Sequence, residues 1–460
     1  MQSVYTTREK ILLGTIAGYL LLNQGFTQLR MPPVGPGIPI GEFVLAVSFL
    51  GVSIPKIVVR LNRVLWVLPF LIWWVYGIAR ALAGVPQYGP WALRDASQVI
   101  DSLFLVIGFA LATNPAKLDR FFHWFYLVFF VGGVYALTFP AEKFLAEYSP
   151  HITAAAGYSV PLLFSYTNSA TLLMTAAPML VLLRGPYPRG RMRYLWAALF
   201  LMVPIAVMQS RTAYVLLISV PGFFLIFHRK ILSKWMLALS CALLLLVIVF
   251  ASGIEIKGRL GQRFSPEFVA QHFSTLSGTS ENTELSGAAA GIGQRIGWWR
   301  QIGTRLTRTP ASLIFGLGYG MPLVDFTLAG GMKVREPHNS YISVLARLGV
   351  LGALLWTCMH VTLFWTWLSG FRLARRRGWK VDEARLLVLA LFCFVVLLTA
   401  IGEDAMEKTF NTAPYYFFWS VVVAYVSHLR ALAARIPDAS EEPFPLDGTV
   451  SGGKQRTYVA

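Results

Sequence analysis

Long apolar runs constrain the fold of this chain more than any other feature of its sequence. Hydrophobic residues make up 56% of the 460 residues, and the mean hydropathy is +0.58. A run of about 20 apolar residues crosses a bilayer as an α-helix, and lipid requires every backbone polar group to be bonded within the protein. Because the runs are continuous and do not alternate apolar with polar residues, they favour helices over strands.

Hydropathy predicts an all-α polytopic membrane protein with about twelve transmembrane helices. The predicted spans cover 10–26, 38–54, 64–84, 97–113, 120–139, 160–184, 192–209, 212–228, 233–252, 340–369, 384–403 and 414–431. The three cysteines lie within apolar runs and show no disulfide or metal-binding pattern.

The basic residues predict the orientation of these spans. The formal net charge is +18, but lysines and arginines cluster in short loops between apolar runs, as on the cytoplasmic side of a membrane protein. These loops are 56–63, 117–120, 184–193, 229–234 and 372–380. Both termini are then cytoplasmic, and the other connections face outward. The pattern predicts contact with membrane lipids and no nucleic-acid partner.

The spans divide the chain into four parts. They are nine N-terminal transmembrane helices over 1–252, a large outward loop domain over 253–339, three C-terminal transmembrane helices over 340–431, and a polar tail over 432–460 that is expected to be disordered. A loop of roughly 85 residues exceeds ordinary connection lengths, so two or three helices are expected within it. Its amphipathic run places four apolar residues on one helical face, namely Trp298, Trp299, Ile302 and Leu306.

A histidine stands where the outward loop meets span ten, in the stretch Glu336-Pro337-His338-Asn339-Ser340-Tyr341. Pro337 fixes the backbone just before His338 and a rigid helix follows, so the imidazole is expected to be positioned. A neutral imidazole can act as a general base. The alternative is a structural or solvated histidine, which is the interpretation of His123, His228, His360 and His428.

Arginines on the outward side need an explanation other than the positive-inside rule. Arg211 lies in a tight turn between spans seven and eight, and the loop contains Arg259, Arg263, Arg295, Arg300, Arg305 and Arg308. Arginine presents a planar, permanently charged fork to phosphate, so an anionic ligand is the simplest explanation. Arg211 has the alternative roles of capping a helix or binding lipid headgroups.

Other residues near the histidine allow two interpretations. Arg347 on span ten either reaches a lipid-linked phosphate or pairs with Glu42 or Glu403 inside the bundle. The glycine-rich segment 316–320 is predicted to be a flexible turn beside the site, because no strand precedes it as in a nucleotide loop. Gly349 and Gly352 are predicted to allow close helix packing.

No cofactor is expected from the motifs on the outward side. The outward segments contain no HExxH, CxxC or Asp-x-Asp pattern, so neither a metal nor another cofactor is predicted.

The order of these motifs resembles the O-antigen ligase and polymerase superfamily of bacterial inner-membrane glycosyltransferases. The shared features are Ser210-Arg211, the large outward loop, Arg295 before Trp298 and Trp299, Pro310, Phe315-Gly316-Leu317-Gly318, and His338-Asn339-Ser340-Tyr341 with Gly349 and Gly352. They lie between about 200 and 355, and the His-Asn-Ser-Tyr stretch is the most specific among them.

The resemblance implies a GT-C-like fold and a metal-independent, inverting transfer of O-antigen glycan. The donor would be undecaprenyl diphosphate glycan and the acceptor a sugar hydroxyl of lipid A–core, at the periplasmic face of the inner membrane. His338 would be the general base, with Arg211 and Arg295 on the diphosphate. Further substrate contacts are predicted for Arg259, Arg263, Arg300, Arg347, Asn339 and Tyr341.

The same motifs fit two other reactions of the superfamily. These are O-antigen polymerisation and protein O-oligosaccharyl transfer, and the single dominant loop favours the ligase over both. A lipid-linked glycan transporter or flippase is a different class, which tends to show inverted repeats and broken helices near the midplane. Neither feature is evident in the sequence, and the candidate charges gather at one face.

Overall fold

A computed structural model describes most of the chain. The described residues are 4–31, 38–50, 66–153, 159–163, 169–183, 185, 187–253, 265, 267–268, 271, 283–327 and 333–435. Arg259, Arg263 and the tail beyond 435 lie outside the described residues, so the predictions made for them stay predictions.

Helices make up nearly all of the described structure. In chain order they are α1 Thr7–Thr27, α2 Ile40–Leu50, α3 Val67–Tyr88, α4 Pro90–Asp95, α5 Ser97–Asp101, α6 Phe104–Ala112, α7 Pro115–Ala136, α8 Glu142–Tyr148, α9 Ser169–Leu182, α10 Met192–Met202, α11 Arg211–Phe227, α12 Arg229–Ala251, α13 Thr283–Leu306, α14 Pro310–Phe315, α15 Ser340–Arg376, α16 Lys380–Gly402 and α17 Thr409–Ala433. Short 3₁₀ turns cover Phe139–Ala141 and Ala405–Glu407, and a π-helical turn covers Val203–Val207.

Three small antiparallel hairpins complete the described elements. They pair β1 Arg30–Met31 with β2 Ile38–Pro39, β3 His151–Thr153 with β4 Ser159–Pro161, and β5 Phe326–Thr327 with β6 Lys333–Val334. The last hairpin lies in the outward loop and pairs Phe326 with Val334. None of the three is long enough to form a sheet core, so the architecture is helical.

A helix lies at each segment that hydropathy predicts to be a span. Among the described residues, five helices are long and apolar enough to cross a membrane by length and composition. They are α3, α12, α15, α16 and α17. The chain is thus an all-α membrane protein, whereas the count of twelve spans and the GT-C-like arrangement stay predictions.

The last helix, α17, lies at the centre of the packed bundle. It contacts α1, α6, α15 and α16, and nearly all its side chains from Phe410 to Val426 are buried. By contrast, α12 leaves Leu243, Leu244 and Val247 half exposed or more. Apolar side chains that face outward from a bundle are typical of a surface covered by lipid.

The outward loop packs through one face of α13. Trp298, Ile302 and Leu306 are buried there against Leu323 and Val324. Trp299 is only partly buried, and its indole N–H donates to the Pro337 carbonyl. The predicted amphipathic face is therefore confirmed, and it holds α13 beside the histidine stretch.

A kink at Gly349 splits α15 into two helical segments. Gly349 has φ +69°, and a Cβ on it would lie 2.3 Å from the Ile314 carbonyl oxygen. The kink releases two carbonyls, which accept hydrogen bonds from the N–H groups of Leu317 and Gly318 at 2.7 and 3.0 Å. The predicted close packing at Gly349 is confirmed.

The segment 316–320, which was predicted to be a flexible turn, packs against α3 and α15. The Gly316 carbonyl accepts a hydrogen bond from Arg80. The Tyr76 hydroxyl bonds to the carbonyls of Phe315 and Leu348, which precede Gly316 and Gly349 at the point where these two glycines touch. The glycines therefore serve close backbone approach, because a side chain on Gly316 would meet the Gly349 nitrogen at 2.4 Å.

Replacing Gly349 by alanine is expected to destabilise the protein by about 1–3 kcal/mol, since alanine is strained at positive φ. Thermal unfolding of the purified protein in detergent measures the change. Gly303→Ala is the matched control, because a Cβ at Gly303 meets no atom within 4 Å. Equal melting temperatures for the two variants would contradict the described packing.

Candidate functional site

The backbone holds His338 in an unusual conformation. Its φ is +53°, in the left-handed region that side chains other than glycine rarely adopt. The residues on either side are fixed, since the Pro337 carbonyl accepts from Trp299 and the Asn339 side chain caps α15 at Ile342 N. Strain of this kind persists only where the surroundings impose it, and it clusters at functional sites.

Two carboxylates face the His338 ring. Its Nδ1 lies 3.4 Å from Asp404 Oδ1 and 4.0 Å from Glu403 Oε2. The indole of Trp298 lies alongside, with ring centroids 6.0 Å apart. The ring stays 29% exposed, so it is oriented by neighbours and still open to a ligand.

Asp404 is held in its ionised form. Burial alone would raise its pKa, but Lys408 and His338 lower the pKa well below its usual range. The Lys408 ammonium lies 2.7 Å from the Asp404 carboxylate. A lysine, a carboxylate and an imidazole thus form a chain in which the carboxylate can orient the ring.

The two arginines that were predicted to bind the diphosphate lie near this row of three side chains. Arg295 donates to the Gly402 carbonyl at 2.8 Å, directly before Glu403 and Asp404. Arg211 begins α11 near the same backbone, because its neighbour Thr212 has its Oγ1 3.8 Å from the position of a Cβ on Gly402. Burial and then the charge of Arg295 lower the pKa of Arg211. Gln209, two residues before Arg211, is a second residue with positive φ, at +44°. We call Arg211, Arg295, His338, Glu403 and Asp404 the candidate site.

Arg347 lies outside this cluster, in a buried ion network. Its guanidinium is 3.0 Å from Asp95 and 2.8 Å from Glu336, and it also donates to the Gly318 and Met321 carbonyls. Of the two predicted roles, pairing within the protein is the one the contacts favour. The expected partners, Glu42 and Glu403, were wrong.

Two further predicted substrate contacts also have structural partners. The Asn339 side chain is buried, where it caps α15 and donates to the Ile401 carbonyl at 2.8 Å. The Tyr341 hydroxyl donates to the Leu397 carbonyl at 3.0 Å, although its ring is 37% exposed. These contacts favour a positioning role for Asn339 and leave only the Tyr341 ring open to a ligand.

The other arginines of α13 differ in their surroundings. Arg300 is exposed. Arg305 donates to the carbonyls of Pro322 and Leu323, which fixes the loop before β5. Only Arg295 on this helix contacts the backbone beside Asp404.

The structure also brings together three potential metal ligands that no sequence motif shows. Donor atoms of His338, Glu403 and Asp404 all lie within 4.8 Å of one another. The Lys408 ammonium on Asp404 opposes a cation there by charge repulsion. The arrangement therefore fits an oriented base better than a metal centre.

Sequence reasoning noted Asp404 as a charge near a helix end and Glu403 as a possible partner of Arg347, but it missed that both carboxylates face His338. Glu403 and Asp404 stand 65 or more positions after His338, at the end of α16, and no local spacing links them. Their one available signal was two acidic residues at an outward helix end. Glu407 was missed for the same reason, and it accepts from the Ser340 hydroxyl at 2.6 Å.

The helices and this cluster define a membrane protein with an oriented histidine and paired arginines at one end of its bundle. Residues 196–357 match the family model Wzy_C, described as O-antigen ligase. The match spans 162 of 460 residues and includes Arg211, Arg295 and His338. It confirms the resemblance to the O-antigen ligase superfamily and supports an enzyme that acts on lipid-linked glycan. Comparison with curated proteins gave no match.

Glu407 gives a testable pH dependence. Burial, followed by the charge of Glu336, raises its pKa from 4.5 to about 8. The folded protein then binds more protons than the unfolded chain between these values. Stability is therefore full below pH 4.5 and falls as the pH rises to about 8, by at most about 1.4 kcal/mol per pH unit.

Glu407→Gln is expected to flatten this decline and to melt above the native protein at pH 8. Melting curves from pH 5 to 8 test it, with the exposed Glu147→Gln as control. An unchanged slope in Glu407→Gln would show that Glu407 is ionised in the folded protein throughout this range.

Proposed function

We propose that this protein is an O-antigen ligase that transfers glycan from undecaprenyl diphosphate to a sugar hydroxyl of lipid A–core. The observation that carries the proposal is the His338–Asp404 pair beside Arg211 and Arg295. His338 and both arginines lie within the segment that matches the family model, and Asp404 follows that segment in the chain. The site would face the periplasm at the inner membrane, with both termini in the cytoplasm.

His338 is the proposed general base. With its Nδ1 proton directed to Asp404, its Nε2 is free to take the proton of the acceptor hydroxyl as that oxygen attacks the anomeric carbon. The bond between the anomeric carbon and the diphosphate oxygen breaks, and its electron pair stays on the diphosphate. A single displacement of this kind inverts the anomeric centre. Asp404 stabilises the imidazolium that forms.

Arg211 and Arg295 are the proposed diphosphate ligands. Two guanidinium groups held close together repel each other, and a diphosphate between them would relieve that repulsion. They would also stabilise the charge that grows on the leaving group, an effect worth about 10²–10³-fold per donor. Diphosphate is a good leaving group, so the scheme needs no separate general acid.

Arg259, Arg263 and Arg300 stay proposed substrate contacts. The contacts of Arg347 and Asn339 instead support a role in holding the loop. The proposed reaction requires no metal, nucleotide or nucleic acid.

The first test is transfer by the purified protein in nanodiscs, with undecaprenyl diphosphate glycan, lipid A–core and a chelator. His338→Ala is expected to lower the rate about 10²–10⁴-fold, the usual contribution of a general base. His123→Ala is the control, since that residue is exposed and its ring nitrogen lies 3.1 Å from the Asp119 carbonyl of its own helix. Full activity of His338→Ala would remove the histidine from the mechanism.

The same assay separates the alternatives. Transfer to a second glycan repeat or to protein, without transfer to lipid A–core, would assign the polymerase or oligosaccharyltransferase reaction instead. Loss of activity with chelator, restored by a divalent cation, would make His338, Glu403 and Asp404 metal ligands.

Asp404→Asn tests the positioning of the base. The amide keeps the size of the carboxylate but not its charge, so kcat is expected to fall at least tenfold with little change in KM. Asp325→Asn, the same substitution at an exposed position before β5, is expected to leave both values unchanged. An unaltered kcat in Asp404→Asn would show that the carboxylate does not act through His338.

A further inference from the structure

A polar cavity lies at the opposite end of the helices that build the candidate site. α11 begins at Arg211 and ends at Phe227, and α15 and α16 run between the His338 end and a turn near Lys380. A cavity of about 650 Å³ opens between these far ends. The segment of α15 after the kink, residues 350–376, separates it from the His338 end by about 40 Å at 1.5 Å per residue.

The cavity wall is strongly basic. Five cationic side chains and one carboxylate line it, together with a histidine: Arg229, Lys230, Lys234, Arg375, Lys380, Glu383 and His228. Glu383 lies 3.2 Å from Arg375 Nε and 3.6 Å from His228 Nε2, so its charge is directed to those two groups. In the part of the chain that the structure describes, Arg229, Lys230 and Lys234 have no carboxylate partner. The wall therefore keeps an excess of positive charge.

The start of α12 adds to this field. Arg229 and Lys230 form its first turn, and no side chain caps it. The first N–H groups of a helix attract anions through the helix dipole. The C-terminus of α11 at Phe227 offsets this field, so the excess of positive charge comes from the side chains of the wall.

The remaining wall is apolar and continues onto the outside of the bundle. It includes Val181, Leu182 and Ile231, and Ile226, which is 74% exposed. The neighbouring surface of α12 exposes Leu244 and other aliphatic side chains. A ligand here meets cationic groups at one end and an apolar helix surface at the other.

We propose that this cavity binds the phosphate headgroup of an anionic phospholipid, whose acyl chains lie along α11 and α12. Topology alone explains basic residues in a loop, but it requires neither a cavity nor an apolar wall. A soluble phosphate would use the cationic wall alone and leave the apolar wall unused. The inference is independent of the proposed reaction.

Native mass spectrometry of the purified, delipidated full chain tests the proposal, with cardiolipin or phosphatidylglycerol against phosphatidylcholine. The native protein is expected to retain the anionic lipids preferentially. Arg229→Gln with Lys234→Gln is expected to weaken that binding at least tenfold, since each basic residue near anionic headgroups strengthens association about fivefold. Arg372→Gln with Arg376→Gln removes the same charge from exposed positions outside the cavity wall and is expected to change binding less than twofold.

Equal weakening by both pairs would overturn the site in favour of general surface charge. Displacement of the lipid by millimolar inorganic phosphate would overturn the lipid assignment in favour of a soluble anion. Arg229 and Lys234 are exposed, so folding is expected to survive, and the melting temperature checks this. If the double variant melts early, each single variant is measured, and unchanged binding in both would contradict the proposal.

Discussion

The part of the structure around His338 depends on the buried charge of Arg347. Only 4% of its side chain is exposed, and an unpaired guanidinium at that depth would be strongly destabilising. Asp95 and Glu336 supply the counter-charges from two distant parts of the chain. Arg335 also binds Asp95, at 2.9 Å, and lies over the Trp91 ring. One ion network therefore joins α4, the outward loop and α15.

This network explains how the backbone at His338 is fixed although no local sequence motif fixes it. Glu336 is fixed by Arg347 and stands two residues before His338, while Asn339 is fixed as the cap of α15. The strained backbone at His338 is therefore fixed from both sides. Asp404, in the turn that follows α16, then faces the ring from a separate part of the chain at 3.4 Å. A rigid scaffold of this kind suits a base that must meet a hydroxyl in one geometry.

The sequence allowed good prediction wherever the physical signal was local. Helix positions followed from apolar runs, and the buried face of α13 followed from the spacing of Trp298, Ile302 and Leu306. The role of Arg347 did not follow from the sequence, because its partners lie 252 and 11 positions away. A single arginine in a helix is compatible with both an internal ion pair and a phosphate contact. Glycines at 316–320 indicated a turn, but their packing against Gly349 is a tertiary contact. The pairing of His338 with Asp404 was inaccessible for the same reason.

The kink at Gly349 has a consequence for how the enzyme sits in its bilayer. A straight α15 would carry any change of helix tilt directly to its first residue. Membrane helices tilt to match the thickness of the surrounding hydrocarbon. Here the first segment of α15 is bonded to Leu317 and Gly318 of the outward loop, and the ladder of helical hydrogen bonds breaks before the long segment begins. The position of His338 is thereby set by its contacts with the loop, and a tilt of the long segment of α15 would be absorbed at Gly349 before it reaches His338.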